Sequence, residues 1–183
     1  MTITPYERGT CLVTGGAGFI GCSISKRLAD MFSNVVVVDN LHPQVHSKPE
    51  RPMALDHRAS LVVGDITDRA MWDSLLPELR PQAVIHLAAE TGTGQSLTES
   101  TRHSMVNVVG TSQLLDGLHR NGCAPERMVL SSSRAVYGEG VWRTREGKLV
   151  QPGQRSNAQL RAGQWDFPNA SPLSFRASAT PAA

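Results

Sequence analysis

Three glycines at intervals of three, Gly15, Gly18 and Gly21, lie in the segment Thr14-Gly15-Gly16-Ala17-Gly18-Phe19-Ile20-Gly21. Glycines so spaced can admit a pair of linked phosphates. The first permits a tight turn out of a strand, the second lets the backbone approach the pyrophosphate, and the third lets the next helix pack on the sheet. The amides opening that helix, at Phe19 and Ile20, would then face the negative charge. Asp39 follows, 18 residues after Gly21. A carboxylate there can accept both hydroxyls of an adenosine ribose and repels a 2′-phosphate. The next residues are Asn40 and Leu41, with no Arg to welcome such a phosphate. Asp65, after Val62-Val63-Gly64, is placed to accept from an adenine amino group, with the Ile66 amide alongside. These residues suit a dinucleotide, and NAD rather than NADP. Each has a plainer reading: glycines occur between strand and helix for structural reasons, and Asp39 or Asp65 could serve only a turn. The glycines gain weight from standing at a strand-to-helix junction.

The elements around them have the alternation such a site requires. Cys11-Leu12-Val13 runs into the glycines, and Phe19 to Phe32 follows a helical period with Ile20, Ile24, Leu28 and Met31 on one side. Val35 to Val38 is a β-branched run ending at Asp39, as expected of a strand buried on both faces. Leu61-Val62-Val63, Ala83 to Leu87 and Met128-Val129-Leu130 are three further strands. A helix between Glu99 and Asn121 is expected to turn Met105, Val108, Val109, Leu115 and Leu118 inward, with Asn121-Gly122 as its stop. Strands alternating with helices imply an α/β fold with a doubly wound parallel sheet of Rossmann type. Residues 1–140 form that domain. Residues 141–183, with prolines at 152, 168, 172 and 181 and no sustained period, are expected to be an irregular, insertion-like tail. The sheet is thus expected to be incomplete at its C-terminal side.

Bulk properties exclude several classes of function. The 183 residues carry a net charge of +2, which argues for neither nucleic acid nor an acidic membrane as partner. No apolar run approaches the ~20 residues needed to cross a bilayer, and Met1 to Arg8 lacks the pattern of a secretory signal. Cys11, Cys22 and Cys123 show no metal-site spacing and read as core thiols of a cytoplasmic protein, with no metal expected.

Six segments in order resemble the extended short-chain dehydrogenase/reductase family, the NAD-dependent nucleotide-sugar epimerases and dehydratases. They are Thr14–Gly21, Asp39-Asn40-Leu41, Gly64-Asp65-Ile66, His86-Leu87-Ala88-Ala89, Val106-Asn107-Val108 and the run from Ser131 to Gly138. The stretch Glu90-Thr91-Gly92-Thr93-Gly94-Gln95-Ser96 is most similar to the dTDP-L-rhamnose 4-epimerase type. The resemblance implies that Leu87, Ala88 and Ala89 run beside the cofactor, with Asn40 and Ser131 also at its site. It implies that Asn107 holds a helix kink or carries a water, and that Ser133 donates a hydrogen bond to the sugar hydroxyl being oxidised. His86 is expected to be a strand residue with a satisfied ring rather than a base. Intact relatives would oxidise C4 of a nucleotide sugar and return the hydride to the other face of a keto sugar.

Two departures bear on activity. Proton transfer in the family uses a Tyr with a Lys four residues later, the Lys lowering the phenol's pKa. Here four residues beyond Tyr6 and Tyr137 stand Thr10 and Val141. Dehydratases of the family carry Asp-Glu where Arg134 and Ala135 stand, and an Arg offers no general acid or base, which favours epimerase ancestry. The expectation is the N-terminal NAD-binding half of a 4-epimerase-like protein, inactive alone, with a nucleotide sugar as substrate of its intact relatives. A non-catalytic NAD-binding module, a truncated gene product, a half complemented by another polypeptide that supplies the C-terminal part, and a homodimer stay open.

Overall fold

The computed structural model describes residues 9–92, 94–133, 136, 138–167 and 170–172, and the chain divides into two compact units between Ser131 and Ser132. In the first unit, five parallel strands lie in the order β3-β2-β1-β4-β5: β1 (Thr10–Thr14), β2 (Asn34–Asp39), β3 (Ala59–Val63), β4 (Ala83–His86) and β5 (Arg127–Leu130). The order reverses between β1 and β4, which opens a crevice at the C-terminal ends of these strands. This is the Rossmann-type sheet expected from the alternation of elements.

Strand residues alternate between two cores. Cys11, Val13, Val35 and Val37 face helix α1 (Phe19–Met31), where Leu28 and the following Phe32 pack against them. Leu12, Val38 and Val84 face the other layer, against Trp72 and Leu76 of α2 (Arg69–Leu79) and Leu114 and Leu118 of α4 (Thr111–Arg120). Burial of Val35 to Val38 on both faces is as the β-branched run requires. Cys11 and Cys123 are core thiols, and burial pushes the Cys11 thiol up to about 12.

Three features differ from the sequence reading. Helix α2 has no counterpart in it. The helix starts where the Asp68 carboxylate accepts from the Ala70 amide at 2.8 Å, and it ends at Arg80 in a left-handed conformation. Pro77 within its last turns conceals the helical pattern of Trp72, Leu75, Leu76 and Leu79. Second, the helix expected between Glu99 and Asn121 is broken into α3 (Ser100–Ser104), a π-helical stretch (Met105–Gly110) and α4. A π turn holds more residues per turn than an α turn and rotates the residues beyond it about the helix axis. Leu118 faces the core as expected, but Leu114 and Gly117 join it there, whereas Met105, Val108 and Leu115 are exposed.

The third difference concerns residues 141–183, expected to be irregular. They contain β6 (Trp142–Thr144), β7 (Leu149–Val150), α5 (Asn157–Arg161) and β8 (Ala170–Pro172), the strands forming an antiparallel sheet in the order β7-β6-β8. Strands of two or three residues are too short to show a period. Trp142 meets Phe167 edge-on at 5.0 Å. The Arg155 guanidinium lies 4.6 Å from the Phe167 centroid and pairs with Glu139. Among the described residues no helix is long and apolar enough to cross a membrane.

Trp72 ties α2 to the segment leaving β3: it is fully buried, and its indole N–H donates to the Ile66 carbonyl at 2.8 Å. Trp72→Ala is expected to cost about 3–5 kcal/mol. Trp72→Phe, which keeps most of the volume but leaves that carbonyl unpaired, is expected to cost less, about 1–3 kcal/mol. Urea denaturation of the two variants checks both the size and the order of the losses.

Candidate dinucleotide-binding site

The glycine segment turns where β1 ends. Gly15 has a φ of +64°, and a Cβ there would lie 2.6 Å from backbone atoms of Ala88, so the turn and the chain leaving β4 both require glycine. Gly21 packs under the loop, where a Cβ would stand 2.2 Å from the Gly16 carbonyl oxygen. Gly18 differs from both. Its φ of −72° and ψ of −179° suit any residue, and a Cβ there would meet only the Gly15 carbonyl oxygen, at 3.3 Å. A side chain at Gly18 would press on that oxygen by a few tenths of an ångström, far less than at Gly15 or Gly21, and Gly18 lines a cavity.

That cavity, of about 350 Å³, lies within the first unit over the C-terminal ends of the strands. Gly15, Gly18, Phe19, Ile20, Asp39, Asn40, Asp65, Ile66, Leu87, Ala88 and Ala89 all line it, so most of the dispersed sequence-predicted residues meet on one surface. The Asp39 carboxylate ends β2 and is almost buried. Its Oδ2 accepts from the Ala17 amide at 3.0 Å and its Oδ1 from the Leu41 amide at 2.9 Å, which ties the acid to the glycine loop. Each oxygen keeps acceptor capacity for a ribose hydroxyl. Asp65 accepts from the Thr67 amide and hydroxyl at 2.8 and 2.7 Å and from the Asn40 amide group at 3.4 Å. Burial pushes its carboxyl up, but these hydrogen bonds outweigh burial and hold it below its ordinary value.

Three predicted residues of the first unit stand off the cavity wall. Gly21 serves helix packing. Asn107, in the π-helical stretch, grips Glu90 at both backbone groups: its Oδ1 accepts from the Glu90 amide at 2.8 Å and its Nδ2 donates to the Glu90 carbonyl at 3.1 Å. Ser131 donates its hydroxyl and its amide to the His86 carbonyl, at 3.0 and 3.1 Å. Ser133 belongs to the second unit, is exposed, and accepts at its carbonyl from the Val136 amide. Arg134 and Ala135, on which the epimerase-over-dehydratase reading relies, lie outside the described residues, as do Tyr6 and Tyr137.

Sequence reading missed His42, Gln44, Val45, His46, Glu90 and Thr91 on the cavity wall. The first four belong to the β2–β3 loop. Their one legible signal is the recurrence of His42 and His46 just beyond Asp39.

His86 sits beneath the cavity, buried between two threonine hydroxyls. Thr111 Oγ1 donates to the Asn107 carbonyl at 2.9 Å, so it accepts from His86 Nε2–H at 2.9 Å. Thr14 Oγ1 then donates to His86 Nδ1 at 2.6 Å and accepts from the Ala88 amide at 3.4 Å. One neutral tautomer satisfies the whole chain. Both ring nitrogens are engaged, as expected of a structural residue.

A model of the NAD dependent epimerase/dehydratase family matches residues 11–157. The chain belongs to that family. It is 59% identical, over 169 residues, to a dTDP-L-rhamnose 4-epimerase of Burkholderia thailandensis, an alignment covering 92% of this chain and 47% of that enzyme. A UDP-glucose 4-epimerase from Brucella ovis, solved in complex with NAD, is 36% identical with a TM-score of 0.60, over 71% of this chain and 37% of that one. The Bordetella bronchiseptica enzyme WbmF, solved in complex with NAD+, is 28% identical with a TM-score of 0.60, over 72% of this chain and 38% of that one. The chain thus spans about half the length of the Burkholderia relative and less of the others. NAD, the cofactor in the family's description, is the dinucleotide that Asp39 suits.

Burial lowers the affinity of His86 for a proton. The unfolded chain, whose histidine titrates near pH 6.5, then takes up the proton first, so stability present above about pH 6.5 is lost as the pH falls below it. The slope from one such group is at most about 1.4 kcal/mol per pH unit. Guanidinium denaturation between pH 7.5 and 5.5 should show this loss, and His86→Asn should be less stable at pH 7.5 with a shallower pH slope.

Proposed function

We propose that the cavity binds NAD and that the chain is the NAD-binding part of a nucleotide-sugar 4-epimerase, acting in the cytoplasm on a dTDP- or UDP-hexose. The observation that carries the reading is Gly18. Its backbone conformation needs no glycine and a Cβ there would meet a single atom, the Gly15 carbonyl oxygen at 3.3 Å, so a ligand passing over it accounts best for the absence of a side chain. A pyrophosphate at the opening of α1 meets amides there, and Asp39 at the end of β2 accepts from the adenosine ribose. NAD bound in this position supplies a hydride acceptor that can give the hydride back. The chain's own residues hold it: Gly15 and Gly18 clear the path of its phosphates, Asp39 orients the ribose, and Asp65 receives the adenine edge. The 59% identity to a dTDP-L-rhamnose 4-epimerase supports the epimerase branch.

Isothermal calorimetry with each cofactor is the direct test. Binding of NAD at least about tenfold tighter than NADP is expected, because the carboxylate opposes a 2′-phosphate. Gly18→Val is expected to keep the circular dichroism of the parent and a cooperative melt while losing NAD. Equal affinities, or a folded protein with no affinity for either, would overturn the proposal.

We further propose that this chain alone does not turn over nucleotide sugars. Its 183 residues contain no Tyr-x-x-x-Lys, and Ser133 can orient a hydroxyl but is a weak base. General-base assistance is worth ~10²–10⁴-fold. Incubation with NAD and dTDP- or UDP-hexoses, followed by chromatographic resolution of C4 epimers, should show no interconversion. Turnover that disappears in Ser133→Ala would require a different base.

A further inference from the structure

The acid that distinguishes NAD from NADP has a titratable neighbour. The β2–β3 loop turns back on itself after Asp39, with the His46 amide donating to the His42 carbonyl at 2.9 Å. This brings His46 Nε2 to 3.6 Å from Asp39 Oδ1, each side chain only 9% exposed. At that distance a neutral imidazole is a neighbour rather than a hydrogen-bond partner, while an imidazolium is an ion partner. Asp39 cannot swing away from it, because the Ala17 and Leu41 amides hold its two oxygens. Both His46 and Asp39 line the cavity, so whatever charge the pair carries is presented to a ligand's ribose.

We propose that His46 is a specificity-determining residue of this site: its imidazole against Asp39 sets how strongly that carboxylate excludes a 2′-phosphate, so discrimination between NAD and NADP weakens as His46 takes up a proton. The inference rests on the reading of the cavity as a dinucleotide site. With His46 neutral, the pair presents a net negative charge where a 2′-phosphate would stand. With His46 protonated, the pair is neutral overall and its imidazolium can itself meet the phosphate. The ribose hydroxyls of NAD are uncharged and gain little from the same proton, so the effect falls on the ratio of the two affinities.

Other charges face this loop. His42, Asp65 and Glu90 share the cavity with His46. Lys48, Glu50 and Arg51 border an adjoining hollow that His46 also lines. Lys48 and Glu50 pair at 3.7 Å, and Arg51 donates to the Asp56 carbonyl at 2.6 Å. Asp39 is the only acidic side chain to which His46 is paired among the described residues. A 2′-phosphate also gains its own second proton near pH 6, which lowers its repulsion from Asp39 without any histidine. The comparison must therefore be made between proteins at matched pH.

The experiment measures NAD and NADP affinities of the full chain and of His46→Gln by calorimetry at pH 8.0 and pH 5.5. In the parent, the NADP-to-NAD affinity ratio should rise on acidification about tenfold more than in His46→Gln, the equivalent of about one pKa unit of coupling. Linkage is reciprocal, so a second measurement needs no variant: NADP should raise the pH at which the His46 ring titrates by NMR, and NAD should not. Equal pH dependence in parent and variant, or a His46 titration that NADP leaves unmoved while NAD binds normally, overturns the role of His46 and leaves the dinucleotide site standing. Absence of binding by either dinucleotide at both pH values overturns the site itself.

Discussion

Helix α1 can begin on the end of β1 only because two stretches of bare backbone touch. At Gly21 a single methyl would lie 2.2 Å from the Gly16 carbonyl oxygen, and at Gly15 it would lie 2.6 Å from the backbone of Ala88. These two contacts fix three chain segments at one point: the turn out of β1, the first turn of α1 and the segment leaving β4. The crevice where the strand order reverses is bounded by these same segments. The floor of the cavity is consequently main chain rather than side chain, and its shape depends on glycines whose replacement would separate the elements. Gly18 stands apart from this constraint, since its conformation does not demand glycine and a Cβ there would meet only the Gly15 carbonyl oxygen, at 3.3 Å.

Polar links distribute that constraint through the unit. Asp39 connects the end of β2 to the loop through the Ala17 amide, and Asn107 connects the π-helical stretch to the β4 exit through both backbone groups of Glu90. Gln44 joins the β2–β3 loop to the far side of the cavity, donating to Gln95 Oε1 at 2.8 Å and to the Thr91 carbonyl at 3.4 Å. The cavity thus has a covalently local base, made by the glycine segment, and a rim whose contacts cross from one crossover connection to another.

The legible part of this site was the part written in contiguous residues. The Gly15–Gly21 segment and the valine run ending at Asp39 carry their geometry locally: spacing fixes the turn, and β-branching with burial on both faces fixes the strand. The unread parts depend on return paths. His42 and His46 lie in a loop with no period, so nothing local says that the loop folds back on Asp39. Helix α2 was hidden by Pro77, a residue type that ordinarily breaks helices and here lies within one. The inner face of the 100–120 helix was read correctly at Leu118 but misread before it, because the π turn brings Leu114 inward at the expense of Leu115. The resemblance placed Asn107 near the site, but its grip on Glu90 needs the tertiary structure. The second unit's strands are shorter than any pattern a sequence can display.

Cys11-Leu12-Val13 of β1 and Ala83-Val84-Ile85 of β4 say little about their own alignment, because each stretch presents almost the same apolar surface after a slip of one position. The information lies at the strand ends. Thr14 and His86 are register partners on β1 and β4, and the imidazole between the Thr14 and Thr111 hydroxyls has a partner on each nitrogen only in this alignment. A shift by one residue would turn the ring to the opposite face and take both of its nitrogens away from these hydroxyls. The buried trio therefore works as a proofreading device: it adds little to the attraction between strands, yet it makes the misaligned sheets expensive.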